Sequence, residues 1–186
     1  MTSGLYTGNG DNGTTKFFHC NQKRISKSSS VAEALGSLDE LNSFLGMVKV
    51  EADKTDFALK DVPFTKVIED IQQDIFIICA KVAGADKEFN ETKVGALEEI
   101  ISECEQELPP IKTFTLSGGS ELSARFDFAR TLARLAERRV VLVNDELVNI
   151  SGEILKYLNR LSSTLFALAR LSNLRAGAGE IAPDYK

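Results

Sequence analysis

The chain has 186 residues, 43% of them hydrophobic, and its 22 Lys+Arg against 27 Asp+Glu leave a formal net charge of −5 at pH 7. That length suits one domain with a substantial core, and the acid excess excludes a general nucleic-acid or membrane-surface binder. Cys20, Cys79 and Cys104 are odd in number and widely spaced, which suggests neither a disulfide framework nor a zinc site and fits a reducing compartment.

Residues 1–30 are rich in Gly, Asn, Thr, Ser and Lys and lack helical period, so they are expected to form an N-terminal loop. No charged-then-apolar signal pattern opens it. Within it, Thr7-Gly8-Asn9-Gly10-Asp11-Asn12-Gly13-Thr14-Thr15-Lys16 combines permissive glycines with hydroxyl and amide donors, a composition able to form an anion-binding nest. Asp11 is placed to hold a magnesium ion or a ribose. Gly8 and Gly13 have the separation of a P-loop, but Thr14 stands where the lysine belongs and no strand precedes it. Lys23, Arg24 and Lys27 follow closely. A flexible lead-in remains the alternative reading of this stretch.

Five helical patterns come next, at residues 32–50, 64–83, 93–107, 120–143 and 151–175. The first carries Leu35, Leu38, Leu41, Phe44, Leu45 and Val48 on one side and Asp39 and Glu40 elsewhere. Pro63, Gly84, Pro109-Pro110, Gly118-Gly119 and Gly152 punctuate the connections. The longest apolar run, residues 75–80, is too short to span a bilayer. No strand runs or internal repeats appear. The expected fold is therefore all-α, a five-helix up-and-down bundle with an ordered or partly ordered N-terminal loop. It forms a single domain over 1–186: the loop at 1–30, the bundle at 31–175 and a flexible tail at 176–186. The last helix is apolar on more than one face, which fits either subunit packing or a central buried position.

The fourth helical pattern carries the most chemistry. Arg130, Arg134 and Arg138 recur every four residues on one face, with Glu137 one turn from Arg134. Three stacked guanidiniums repel one another and call for an anion. That anion is either a polyphosphate, whose oxygens suit the planar arginine fork, or a set of carboxylates on neighbouring helices. Just before this helix, Phe114 lies in a loop, either plugging the bundle end or walling a flat ligand, and Ser120 is a good N-cap. Asn159 is a polar residue in an apolar helix and is expected to bond a neighbouring helix or a ligand. The single histidine, His19, excludes a histidine relay or multi-histidine metal site, and no residue is assigned to a protein-held metal.

These segments, in this order, resemble the PduO-type ATP:cob(I)alamin adenosyltransferases, or corrinoid adenosyltransferases. The matching stretches are residues 6–15, 36–46, 114–120, 129–139 and 157–170, and the resemblance runs over essentially the whole chain. The resemblance implies a ferritin-like, cobalamin adenosyltransferase-like bundle assembled as a homotrimer, with ATP and a reduced corrinoid bound between subunits. It implies a transferase that moves the 5′-deoxyadenosyl group of ATP, with Mg²⁺, to cobalt and releases triphosphate. Carried over by position, Thr7, Gly8, Asn9, Gly10, Thr14, Thr15 and Lys27 would line the ATP site from one subunit. Arg134, Glu137, Arg138 and Asn159 would complete it. Asp39 and Arg130 would form an intersubunit salt bridge, and Phe114 would pack against the lower face of the corrin. Cobalt(I) is itself a powerful nucleophile, so alignment and leaving-group stabilisation are the protein's share. The chain departs from the family pattern at three places: His19-Cys20 replaces a Gly-Gly pair, Ser117 a proline that should stiffen the next turn, and Leu135 a frequent arginine. A non-catalytic ATP or cobalamin sensor or carrier, and a bundle whose arginines serve only assembly, are the competing readings. A soluble, cytoplasmic location is expected.

Overall fold

The computed structural model describes residues 4–17, 24–146 and 149–186. Five helices dominate it: α1 Ser30–Ala52, α2 Phe64–Val82, α3 Glu91–Glu107, α4 Glu121–Glu146 and α5 Gly152–Arg175. The sequence pattern located each of them to within three residues at either end. α4 continues past Val143 through Asn144, Asp145 and Glu146 because no glycine or proline stops it there.

Each helix is written by its buried stripe. In α1, Ala34, Leu38, Leu41, Leu45 and Val48 are fully buried at three- and four-residue spacing, and Ser29 caps the start by accepting from the Ala32 amide at 3.4 Å. In α2, Ile68, Ile75 and Ile78 are likewise sealed, and Pro63 occupies the N-cap position. Each such Leu or Ile contributes about 1.5–3 kcal/mol of burial free energy. Edge-to-face ring pairs link the layers: Phe64 with Phe126 at 6.0 Å and Phe89 with Tyr157 at 5.2 Å.

The helices pack in the order α2, α1, α4, α5, α3. α5 therefore lies between α4 and α3, and this accounts for its several apolar faces. Leu158, Leu161, Leu165, Leu168 and Leu171 are all fully buried within this one chain, so the central position, rather than a subunit contact, explains the pattern.

Two small hairpins were not visible in the sequence. β1 Thr14–Thr15 pairs antiparallel with β2 Ile25–Ser26, and β3 Ala58–Leu59 pairs with β4 Val62–Pro63. The N-terminal segment is thus partly built as a hairpin. Among the described residues no helix is long and apolar enough to cross a membrane.

Candidate active site

α4 sorts its arginines into two groups. Arg125 bonds Glu121 at 2.7 Å and lies 3.6 Å from Glu51 of α1. Arg130 pairs with Asp127, one turn before it, at 3.2 Å. Arg139 reaches Glu33 of α1 at 3.1 Å and also donates to its carbonyl. Arg134 and Arg138 are exposed and make no ion pair or hydrogen bond among the described residues. The two share a face of the helix at four-residue spacing, in a chain with more acids than bases.

Glu137, between them in sequence, accepts from the Asn159 side-chain amide of α5 at 2.9 Å. Asn159 is exposed and bonds a neighbouring helix. Its place at the α4–α5 seam explains a polar residue in an otherwise apolar helix. Arg134, Glu137, Arg138 and Asn159 thus form one polar surface across two helices.

The glycine-rich loop forms a second group. Gly8 and Gly13 have positive φ, at 68° and 75°, as the composition anticipated. The Thr7 hydroxyl accepts from the Asn9 amide at 3.3 Å, and Asn12 Oδ1 accepts from Thr14 N at 3.2 Å and from Thr14 Oγ1 at 2.6 Å. The Lys27 amide donates to Gly13 O at 2.9 Å. Its Nζ lies 2.9 Å from where a Cβ on Gly10 would be. Any side chain at position 10 would displace that ammonium. Thr15 pairs across the hairpin with Ile25. His19, Cys20 and Lys23 lie outside the described residues. Among the described residues, no hydrogen bond or ion pair joins Thr7, Gly8, Asn9, Gly10, Thr14, Thr15 or Lys27 to the α4–α5 surface.

Phe114 is 81% exposed, so it does not plug the bundle end. Its loop is anchored on both sides. Pro109 O accepts from Arg170 at 2.9 Å, and the Leu116 amide donates to Ile181 O of the C-terminal tail at 2.8 Å. Arg170 is itself buried and paired with Glu180 at 2.5 Å. Part of the tail therefore packs against this loop. Ser120 caps α4 as expected, accepting from the Ser123 amide at 3.3 Å.

Sequence reasoning missed the residue that holds the adjoining turn. Asn173 of α5 accepts from the Ser120 amide at 2.9 Å and donates to Gly118 O at 2.7 Å. The expected loosening by Ser117 is offset by this clamp. The available signal was a second asparagine in the same apolar helix.

Asp39 is exposed on α1 and has no ion-pair partner within the described chain. Its charge and burial together push the nearby Cys79 thiol up to about 11, burial being the larger cause. Among the described residues, no group of three His, Cys, Asp or Glu side chains is placed to hold a metal ion.

A helical bundle with two unpartnered arginines and a hydrogen-bonded glycine-rich loop has the parts of a polyphosphate-binding protein. The family described as cobalamin adenosyltransferase matches residues 5–172. The corrinoid adenosyltransferase PduO of Citrobacter freundii is 36% identical over 89% of this chain and 49% of its own length. The corrinoid adenosyltransferase of Bacillus subtilis is 36% identical over 95% of this chain and 90% of its own. In structure, the chain is similar to a variant of the PduO-type ATP:corrinoid adenosyltransferase of Lactobacillus reuteri complexed with cobalamin and ATP. The TM-score is 0.84 and the identity 31%, over 96% of this chain and 98% of that one. The chain belongs to the cobalamin adenosyltransferase family. It spans about half the length of the PduO relatives it matches in Citrobacter freundii and Salmonella typhimurium.

Proposed function

We propose that this chain transfers the 5′-deoxyadenosyl group of ATP to the cobalt of a reduced corrinoid. The cobalt(I) electron pair forms the Co–C5′ bond, and the C5′–O bond breaks with its electrons leaving on triphosphate. The observation that carries this reading is the unpaired state of Arg134 and Arg138 on a helix whose other arginines, at 125, 130 and 139, are all paired. Two free guanidiniums four residues apart suit a leaving group that carries several negative charges. Glu137 and Asn159, bonded to each other, fix the floor beside them. The glycine-rich loop and Lys27 supply amides and a further cation. Magnesium arrives with ATP as its counter-ion. Phe114, exposed on a loop anchored at both ends, offers an apolar face to the corrin. An apolar lower face disfavours an axial ligand and makes the cobalt easier to reduce.

The two halves of the ATP site belong to different copies in this reading. The absence, among the described residues, of any hydrogen bond or ion pair between the loop and the α4–α5 surface supports that, as does an exposed apolar face on α1 and α4. Phe44 and Phe128 meet there edge to face at 4.8 Å, and Phe128 and Met47 are about half exposed. The assembly proposed is a homotrimer with Asp39 of one copy against Arg130 of the next, in the cytoplasm. There, Arg130 would exchange or share its present partner Asp127.

The test is a spectral assay of purified protein with ATP, Mg²⁺ and chemically reduced cob(I)alamin. Adenosylcobalamin and triphosphate should appear in equal amounts. ATP binding without product would move the assignment to a sensor or carrier, and absence of both would leave the arginines a structural role.

A further inference from the structure

We infer that Arg24 is the positioning residue of the glycine-rich loop, holding it open for a nucleotide polyphosphate before any ligand arrives. This rests on the loop being the nucleotide site. Arg24 stands immediately before β2, within the cluster Lys23, Arg24 and Lys27 that charge alone would assign to phosphate. Its guanidinium is turned the other way, into the loop itself. Nε donates to Thr14 Oγ1 at 2.5 Å, and Nη2 donates to Thr14 O at 2.6 Å. The same Nη2 donates to Asn9 O. The Thr14 hydroxyl, accepting from Arg24, donates in turn to Asn12 Oδ1 at 2.6 Å. One half-buried side chain thus ties positions 9, 12 and 14 together across the hairpin.

The consequence for the loop is a matter of peptide geometry. In a trans peptide the carbonyl and the following N–H point in opposite directions, and the described chain has no cis peptide bonds. Drawing the Asn9 carbonyl onto Arg24 therefore turns the Gly10 N–H away from the guanidinium, and that N–H has no acceptor among the described residues. The Lys27 ammonium lies beside the same glycine. Arg24 spends its donors on neutral carbonyl and hydroxyl oxygens, whereas Lys27 has no hydrogen-bond or ion-pair partner for its ammonium among the described residues. The division of labour is an arginine that shapes the loop and a lysine that meets the anion. A lysine at position 24 could not serve, because its one terminal nitrogen cannot make both the Nη2 bonds to Asn9 O and Thr14 O and the separate Nε bond to Thr14 Oγ1 that the planar fork makes.

The experiment compares the full chain with Arg24→Ala and Arg24→Lys in two measurements. The first is amide hydrogen exchange over residues 7–16 without nucleotide. The second is the steady-state dependence on ATP at saturating cob(I)alamin. Both variants should exchange the loop amides about tenfold faster and raise KM for ATP about tenfold, with kcat within about twofold and helix exchange unchanged. A raised KM with unaltered loop exchange would overturn the inference, since Arg24 would then touch the nucleotide directly. So would an unchanged KM, or full rescue by Arg24→Lys. If Arg24→Ala lowers helix protection, Arg24→Gln, which keeps an amide donor, carries the same comparison. A wild-type chain that makes no adenosylcobalamin defeats the proposed activity, and the exchange measurement alone then decides whether Arg24 shapes the loop.

Discussion

Arg134 and Arg139 lie five residues apart on one helix and meet different surroundings. Arg139 finds Glu33 across the α1–α4 seam, in a pair 35% and 51% exposed, where ion pairs contribute about 0–1 kcal/mol. Arg134 finds no carboxylate among the described residues. Arg134→Ala should therefore lower kcat/KM for ATP by about 100-fold, the loss of one or two charge-assisted bonds, while leaving size-exclusion mass and melting point unchanged. Arg139→Ala should lower the melting point slightly and spare turnover. Steady-state kinetics and light scattering on both variants check this. Dissociation of Arg134→Ala with an unchanged KM would assign that arginine to assembly instead. The four-residue arginine spacing was legible in the sequence because helical period is local. The pairs Arg125–Glu121 and Arg130–Asp127 follow the same local period, whereas the pairing of Arg139 was not legible, since Glu33 lies 106 residues away and is brought alongside only by packing.

At the scale of elements, the turn entering α4 depends on one glycine. Gly119 has φ +105°, and a Cβ there would lie 2.7 Å from Asn173 Oδ1 and 2.9 Å from its Nδ2. Gly119→Ala would thus combine backbone strain with displacement of the side chain that holds Gly118 and Ser120. It should cost about 1–3 kcal/mol in urea unfolding, and melting like the wild type would show that the clamp does not hold this turn. The five helices were readable because apolar residues recur at helical spacing in each, with a glycine or proline just beyond α2, α3 and α5. The hairpins at Thr14–Thr15 and Ala58–Leu59 were not, because two residues cannot display a period of two. The order of Glu180 and Ile181 was equally hidden, since it depends on Arg170 and Leu116 rather than on the tail's own composition.

Across the whole molecule, burial sets the alkaline limit. The Cys104 thiol is pushed from 9.0 to about 12, and Cys79 from 9.0 to about 11, in both cases mainly by burial. The Tyr157 hydroxyl is raised well above its usual 10.0 for the same first reason, with Asp74 adding to it. The folded state keeps these protons when the unfolded chain has lost them. Their contribution is therefore fully present below about pH 9 and falls as pH rises toward 11–12. Urea midpoints should drop steadily from pH 9 to 11, and Cys104→Ala, though less stable at pH 7.5, should fall less steeply. A flat wild-type profile over that range would contradict the burial described.

The free pair Arg134 and Arg138 also bears on what a melting curve of this protein means. Two adjacent cations with no internal neutraliser make the ligand-free bundle carry a repulsion that the unfolded chain escapes. On the proposed function, a polyphosphate held there would relieve it only in the folded state and so link folding to nucleotide binding by mass action. At a hundred times its Kd, nucleotide adds about 2.7 kcal/mol to apparent stability. The persistence of the chain against unfolding and proteolysis then becomes a reading of the nucleotide supply around it.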